Sequence, residues 1–153
     1  EIGEVCARGG NLMTGYWNDL ASTAKVFRDG WYRSGDLGRL DAEGYLYLAD
    51  RIDDMIVTGG ETVYSLEVEN ALATYPGVLQ VAVVGQPDET WGNRVHGIVV
   101  LSAQAAGTTT EADLAAHARS TIAGYKVPKS WELRTDPLPV SGAGKPLKRE
   151  LRV

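Results

Sequence analysis

Residues 45–61, YLYLADRIDDMIVTGGE, decide how the chain is divided and how it folds. Tyr45, Tyr47 and Ala49 alternate with Leu46, Leu48 and Asp50, the period of two that a strand imposes because successive side chains point to opposite faces. Met55-Ile56-Val57 is a second β-prone run, and the charged segment Asp50-Arg51-Ile52-Asp53-Asp54 lies between the two. The pattern predicts a hairpin of these two strands with charge gathered at the turn. Gly59-Gly60 then offers a turn that tolerates positive φ. Alone, an Arg-x-Asp-Asp turn is a solvated ion-pair cluster of small energetic worth.

Downstream, Ser65 is placed to cap a helix whose apolar face is Val68, Ala71, Leu72 and Tyr75, ending before Pro76-Gly77. Strands are predicted at residues 79–84, 95–101 and 131–134. Thr110 with Asp113 makes a capping box for a helix bearing Leu114, Ala118 and Ile122. The order helix, strand, strand, helix, strand predicts an α+β unit, a small mixed or antiparallel sheet with packed helices. No GxGxxG or GxxxxGK run argues for a nucleotide-binding doubly wound sheet. The C-terminal stretch 138–149, LPVSGAGKPLKR, is rich in small residues and reads as a mobile loop offering one lysine.

Upstream, Glu4 to Arg8 reads as a short strand, Gly15 to Asp19 as a turn, and Ser22 to Phe27 as a helical segment ended by Asp29-Gly30. Tyr16, Trp17, Phe27, Trp31 and Tyr32 need a surface to cover them, and little sequence precedes the hairpin to provide it. Residues 1 to about 50 are therefore expected to be the edge of a larger, missing domain. The opening Glu1-Ile2-Gly3-Glu4 reads as mid-strand sequence, unlike a signal peptide.

At 153 residues, 44% hydrophobic and 23% charged, the composition is that of a globular protein with a core. A net charge of -5 without aromatic and basic interleaving argues against a nucleic-acid surface. No apolar run approaches the roughly 20 residues of a membrane-spanning helix. With Cys6 alone there is neither an internal disulfide nor a thiolate metal cluster; a buried, inert thiol in a reducing cytoplasm is expected. His96 and His117 are expected to be a packed strand histidine and a helix-surface histidine.

A set of short motifs gives these elements a context. In order they are Trp31-Tyr32-Arg33-Ser34-Gly35-Asp36, Gly44-Tyr45, Arg51-Ile52-Asp53-Asp54-Met55-Ile56, Gly59-Gly60-Glu61 and Glu67-Val68-Glu69. Pro87-Asp88-Glu89 with Trp91-Gly92, Tyr125-Lys126-Val127-Pro128-Lys129 and Gly144-Lys145 follow. In this order the chain resembles, from end to end, the C-terminal part of AMP-forming acyl-CoA synthetases, a superfamily shared with peptide-synthetase adenylation domains and luciferases. The resemblance implies an acid-thiol ligase. A carboxylic acid, expected to be a fatty acid, and MgATP give an acyl-adenylate, and coenzyme A then displaces AMP. It also implies that residues 1–52 are the C-terminal edge of the large adenylating domain and residues 53–153 the mobile lid domain. The phosphate loop, the acid pocket and the Mg2+ ligand would lie in the missing domain, so the fragment alone would be inactive.

Residue roles follow from the same resemblance. Asp36 matches the carboxylate that holds the ribose hydroxyls, and Arg51 the arginine on the nucleotide, its planar fork of donors suited to bridging oxygens. Asp53 matches the hinge whose backbone torsions absorb a domain rotation. Lys145 matches the adenylation lysine, whose ammonium bridges the attacking carboxylate and the α-phosphate. Gly59, Gly60 and Glu61 match the turn beside which the pantetheine of coenzyme A passes. The sequence departs from the family pattern at Pro146, where an aliphatic residue is usual, and at Ser34, Thr62 and Asn93. Gly59-Gly60-Glu61 stands where peptide-synthetase domains carry an Arg-Gly-x-Arg pattern, which favours transfer to coenzyme A. Alternatives are an aryl-acid or amino-acid adenylating enzyme, or a non-catalytic binding module that keeps the lid fold.

Overall fold

The computed structural model describes residues 1–152. The chain divides into two compact units, Glu1–Asp53 and Asp54–Val153. In the first, β1 (Gly3–Ala7) and β4 (Leu46–Arg51) both pair antiparallel with the long strand β3 (Trp31–Leu40), and the short helix α1 (Leu20–Val26) leads into β2 (Phe27–Arg28), which also pairs with β3. Asp19 caps α1 by accepting the Ser22 N–H.

The strand expected over residues 45–50 is present as β4, but its partner is β3 rather than the run at Met55. The turn that decides this is Asp41-Ala42-Glu43-Gly44: Asp41 Oδ1 accepts the N–H groups of Glu43 and Tyr45 at 3.1 and 2.8 Å. An Asp that folds its own turn in this way closes the β3–β4 hairpin before the chain reaches the charged segment. Residues Ile52–Asp54 form a 3-10 turn, and the Met55 run becomes β5 (Ile56–Thr58), paired with β6 (Glu61–Val63) across Gly59-Gly60.

Among the described residues of the first unit only Gly38 and Asp50 are buried, and none of the buried apolar side chains of the protein lies there. Trp17 is 91% and Tyr45 69% exposed. Cys6 is exposed on β1, correcting the expectation of a buried thiol: a two-layer core never forms around this sheet.

The second unit has that core. Helix α2 (Ser65–Ala73), β7 (Val78–Asp88), β8 (Gly92–Leu101), α3 (Glu111–Arg119) and β9 (Ser130–Arg134) follow in the expected order. β7 pairs antiparallel and β9 parallel with the central β8, so the sheet is mixed. The run Gly97-Ile98-Val99-Val100-Leu101 is apolar throughout because β8 is covered on both faces. Val83, Val95, Val99 and Leu101 face α2 and α3 through Val68, Leu72, Leu114 and Ala118. The alternate residues Ala82, Val84, Ile98 and Val100 pack with Leu138 and Leu151 of the C-terminal stretch.

Three local expectations are revised. Ser65 is the first residue of α2, whose cap is Tyr64 without a side-chain bond. The capping box of Thr110 and Asp113 is present as expected, while α3 ends at Arg119, short of Ile122, which packs on the core from the following turn. His117, expected on the helix surface, is half-buried and bonds to the end of α2, its Nε2 lying 2.8 Å from Thr74 Oγ1. Among the described residues no helix is long and apolar enough to cross a membrane.

His96, as expected, is packed in its strand at 7% exposure, with Nδ1 2.8 Å from Ser130 Oγ. Burial pushes its pKa below 6.5, with Arg94 acting in the same direction and Glu132 opposing. The folded state therefore takes up this proton less readily than the unfolded state. Its stabilising effect is complete above pH about 6.5 and is lost progressively as pH falls below that value toward the depressed folded pKa. Urea-unfolding midpoints between pH 7 and pH 5 should fall more steeply for the parent than for His96→Gln, and equal slopes would remove His96 as the cause.

Candidate functional site

The first unit brings Asp36 and Arg51 together. They are direct partners in the β3–β4 register, and Arg51 Nε lies 3.6 Å from Asp36 Oδ1. Ser34 Oγ accepts the Asp36 N–H at 3.0 Å, and the register shifts between Leu37 and Gly38, so β3 is bent beside the pair. With side chains 35% and 57% exposed, the pair adds little stability. What it does provide is an acceptor-only carboxylate and a fork of N–H donors side by side, open to a ligand. Tyr32 on the same strand has its phenol pKa raised, mainly by the nearby Tyr16, with loss of hydration and the Asp36 charge adding to the shift.

Asp53 lies in the 3-10 turn Ile52–Asp54 and is the last residue of the first unit. In the second unit, Gly59 and Gly60 take φ of 57° and 83°, the two positive values of a hairpin turn that twists with its strands. Gly59 has a second reason to be glycine: a Cβ there would lie 2.7 Å from the Trp91 ring, whose backbone carbonyl accepts the Gly59 N–H at 3.0 Å. At Gly60 a Cβ would meet nothing within 4 Å. Gly59 and Glu61 line a cleft of about 530 Å³ together with Thr58, Asp88, Trp91, Arg94, Tyr125 and Lys129. Asp88 Oδ1 accepts the N–H groups of Thr90 and Trp91, both at 3.0 Å, and so sets the indole against the glycine turn.

Lys145 is exposed and is not among the residues lining that cleft. Its loop is closed rather than loose. Ser141 N–H donates to the Lys145 carbonyl and Gly144 N–H to the Ser141 carbonyl, both at 2.8 Å, while Val140 bridges to Pro146. Within the first unit Asp36 and Arg51 are brought together, with Asp53 at the unit's end; within the second, Lys145 is not brought to the cleft beside the Gly59-Gly60-Glu61 turn.

Two features had no sequence signal. The packing of Trp91 on Gly59 joins residues 32 apart. A polar cluster of Asp54, Ser65, Glu69, Lys148 and Arg152 joins residues up to 98 apart. Among the described residues no three His, Cys, Asp or Glu side chains group as a metal site requires.

A family model for the AMP-binding enzyme C-terminal domain matches residues 67–145. The chain belongs to this family. It is 49% identical to a feruloyl-CoA synthase from Amycolatopsis sp, over 99% of this chain and 30% of that protein. It is 45% identical to a long-chain-fatty-acid–CoA ligase from Bacillus subtilis (strain 168), over 99% of this chain and 26% of that protein. Among solved structures, o-succinylbenzoate CoA synthetase (MenE) from Bacillus subtilis, in complex with its acyl-adenylate intermediate, superposes with a TM-score of 0.91 at 35% identity, covering 100% of this chain and 31% of that one. The chain thus spans less than a third of the length of these relatives.

Alanine at Gly59 combines the left-handed backbone cost, about 1–2 kcal/mol for a residue with a Cβ, with displacement of the Trp91 ring. Alanine at Gly60 carries the backbone cost alone. Gly59→Ala should therefore lower the unfolding free energy further than Gly60→Ala and shift the Trp91 indole N–H resonance, which Gly60→Ala should leave in place.

Proposed function

We propose that this chain is the C-terminal portion of an AMP-forming acid-thiol ligase, which joins a carboxylic acid to coenzyme A through an acyl-adenylate. One observation carries the reading: the division between compact units falls at Asp53, with Asp36 and Arg51 on one side and both the Gly59-Gly60-Glu61 turn and Lys145 on the other. Residues 1–52 are then the edge of the large adenylating domain and residues 53–153 its moving lid. The exposed aromatic side chains of the first unit support a covering domain, and without it the chain is inactive. A cytoplasmic setting, where ATP and coenzyme A are found, goes with this assignment.

In the first half-reaction a carboxylate oxygen of the acid attacks the α-phosphorus of ATP and pyrophosphate leaves. Asp36 accepts hydrogen bonds from the ribose hydroxyls and Arg51 donates to the bridging oxygens, which positions the phosphorus. The Lys145 ammonium stabilises the negative charge shared by the attacking carboxylate and the phosphate, already aimed there before reaction. Rotation about Asp53 then exchanges Lys145 for the glycine turn. In the second half-reaction the coenzyme A sulfur attacks the acyl carbon and AMP leaves, while the bare backbone at Gly59 and Gly60 lets the pantetheine arm pass close. Magnesium accompanies ATP in this reading, and its protein ligand is assigned to the large domain. The acid is assigned as a fatty acid, with an aryl acid as second reading, favoured by the 49% identity to a feruloyl-CoA synthase.

In the full-length ligase, Lys145→Ala should lower ATP–pyrophosphate exchange by about 10²-fold or more while sparing thioester formation from supplied acyl-adenylate. Equal loss in both half-reactions would refute the role of Lys145.

Asp53→Pro should separate the half-reactions differently. Proline fixes φ near about −65° and restricts Ile52 before it, so only one pose stays accessible. Adenylation is expected to survive and thioester formation to fall, with Asp53→Ala retaining both and circular dichroism confirming the fold. If folded Asp53→Pro enzyme kept both steps within a few-fold, the pivot would lie elsewhere.

A further inference from the structure

The polar cluster in the second unit is built around one ammonium. Lys148 Nζ donates to Ser65 Oγ and lies 2.7 Å from both that oxygen and Glu69 Oε1, with Asp54 Oδ2 at 3.9 Å. Arg152 Nη2 takes the other oxygen of Asp54 at 2.7 Å. Glu69 Oε1 also accepts the Val83 N–H at 2.8 Å, which ties the cluster to the sheet. The side chains of Lys148, Glu69 and Asp54 are only 14%, 15% and 20% exposed, and Ser65 is fully buried. A cation so far removed from water is held in place, because moving away would take its 2.7 Å contacts from Glu69 and Ser65 in a poorly hydrated site and a nearby positive charge from Asp54.

Two functional segments meet at this ammonium. One is the point where the chain enters the second unit, Asp54, next to Asp53. The other is the turn that presents Lys145, three residues before Lys148. That turn is fastened upstream by Leu138, which is buried against the sheet and whose N–H donates to Gln80 Oε1 at 2.9 Å. Downstream it is fastened by Leu147 N–H on the Pro139 carbonyl at 2.8 Å, by Lys148, and by the buried Leu151. Lys145 itself makes no ion pair among the described residues, so its direction is set by these two anchors.

We propose that Lys148 is a positioning residue that locks the Lys145 turn to α2 beside Asp54, so that the adenylation lysine moves as a rigid part of the lid and the rotation is confined to the chain before Asp54. This rests on the function proposed above and adds a residue to it. With the ammonium removed, Asp54 keeps Arg152 and the Lys145 turn keeps Leu138, so the unit stays folded. The turn and the entry residue, however, lose the ammonium that fastens both to α2 at Ser65 and Glu69, and among the described residues only the more exposed Arg152 still joins the C-terminal stretch to Asp54. A displacement of about 1 Å of a charged group at a reacting centre is enough to lower a rate by about 10²-fold.

The test compares Lys148→Met with Lys148→Arg. In the full-length ligase, Lys148→Met should lower kcat for ATP–pyrophosphate exchange by about 10²-fold with KM for ATP within a few-fold, and spare thioester formation from supplied acyl-adenylate. Lys148→Arg, which keeps the charge and the donors, should recover adenylation to within about 10-fold of the parent. Amide exchange on the 153-residue chain needs no activity: Lys148→Met should speed exchange at residues 54–57 and 139–147 and leave β7 and β8 protected. Proportional loss of both half-reactions, exchange raised evenly across the unit, or no change in either measurement would each overturn the proposal. If Lys148→Met fails to fold, Lys148→Gln undergoes the same measurements and the same outcomes decide. An unsubstituted ligase without adenylation would refute the function proposed above, and the exchange pattern would then decide the role of Lys148 by itself.

Discussion

The second unit depends on burying its three-stranded sheet on both faces. Two helices of nine residues each cover only one face, through Val68, Leu72, Leu114 and Ala118. Ala82, Val84, Ile98 and Val100 would meet water on the other face if the C-terminal stretch did not lie over them with Leu138 and Leu151. Burying a leucine side chain contributes about 1.5–3 kcal/mol, so these two contacts are comparable to a large share of a small domain's net stability. The segment that carries Lys145 is thus part of the core's closure, and this is why a glycine-rich stretch that looks loose in sequence is tied into a hydrogen-bonded turn.

The two units illustrate different ways of holding a sheet. In the second, packing dominates and polar groups are placed where they satisfy one another: Lys126 donates to both oxygens of Glu67 at 2.7 Å, and Lys148 contacts Ser65 and Glu69 of the same helix, α2. In the first, the strands are joined by their ladders and by part-buried ion pairs such as Arg33 with Glu4, with no apolar side chain buried among its described residues. Backbone hydrogen bonds each contribute little net free energy when the unfolded chain can bond water instead. The exposed aromatic groups of that unit are what such an arrangement leaves over, and they agree with the larger enzyme proposed above.

Charge is distributed in a corresponding way. The partly open pair of Asp36 and Arg51 is weak as a stabilising contact, and that leaves its hydrogen-bonding capacity for a ligand. The enclosed cluster of Lys148, Glu69 and Asp54 is costly to disturb, which suits a fixed point. Burial decides which function a carboxylate and a cation can serve.

Sequence alone determined the two longer helices and the three sheet strands of the second unit, their order and the capping box at Thr110, because periodicity and capping are local properties written in adjacent residues. It also carried the ordered motifs by which the family was recognised and by which Asp36, Arg51, Asp53, Gly59, Gly60, Glu61 and Lys145 were singled out. Tertiary structure decided which strands pair. Two β-prone runs flanking a charged segment look like one hairpin, yet the turn folded by Asp41 and the two positive-φ glycines at Gly59-Gly60 each close a hairpin of their own. It also decided that Asp36 faces Arg51, that Trp91 lies on Gly59, and that Lys148 joins Asp54 to Glu69. Those contacts depend on where sheet register and core packing bring distant side chains, and no local pattern encodes an encounter between residues separated by up to 98 positions.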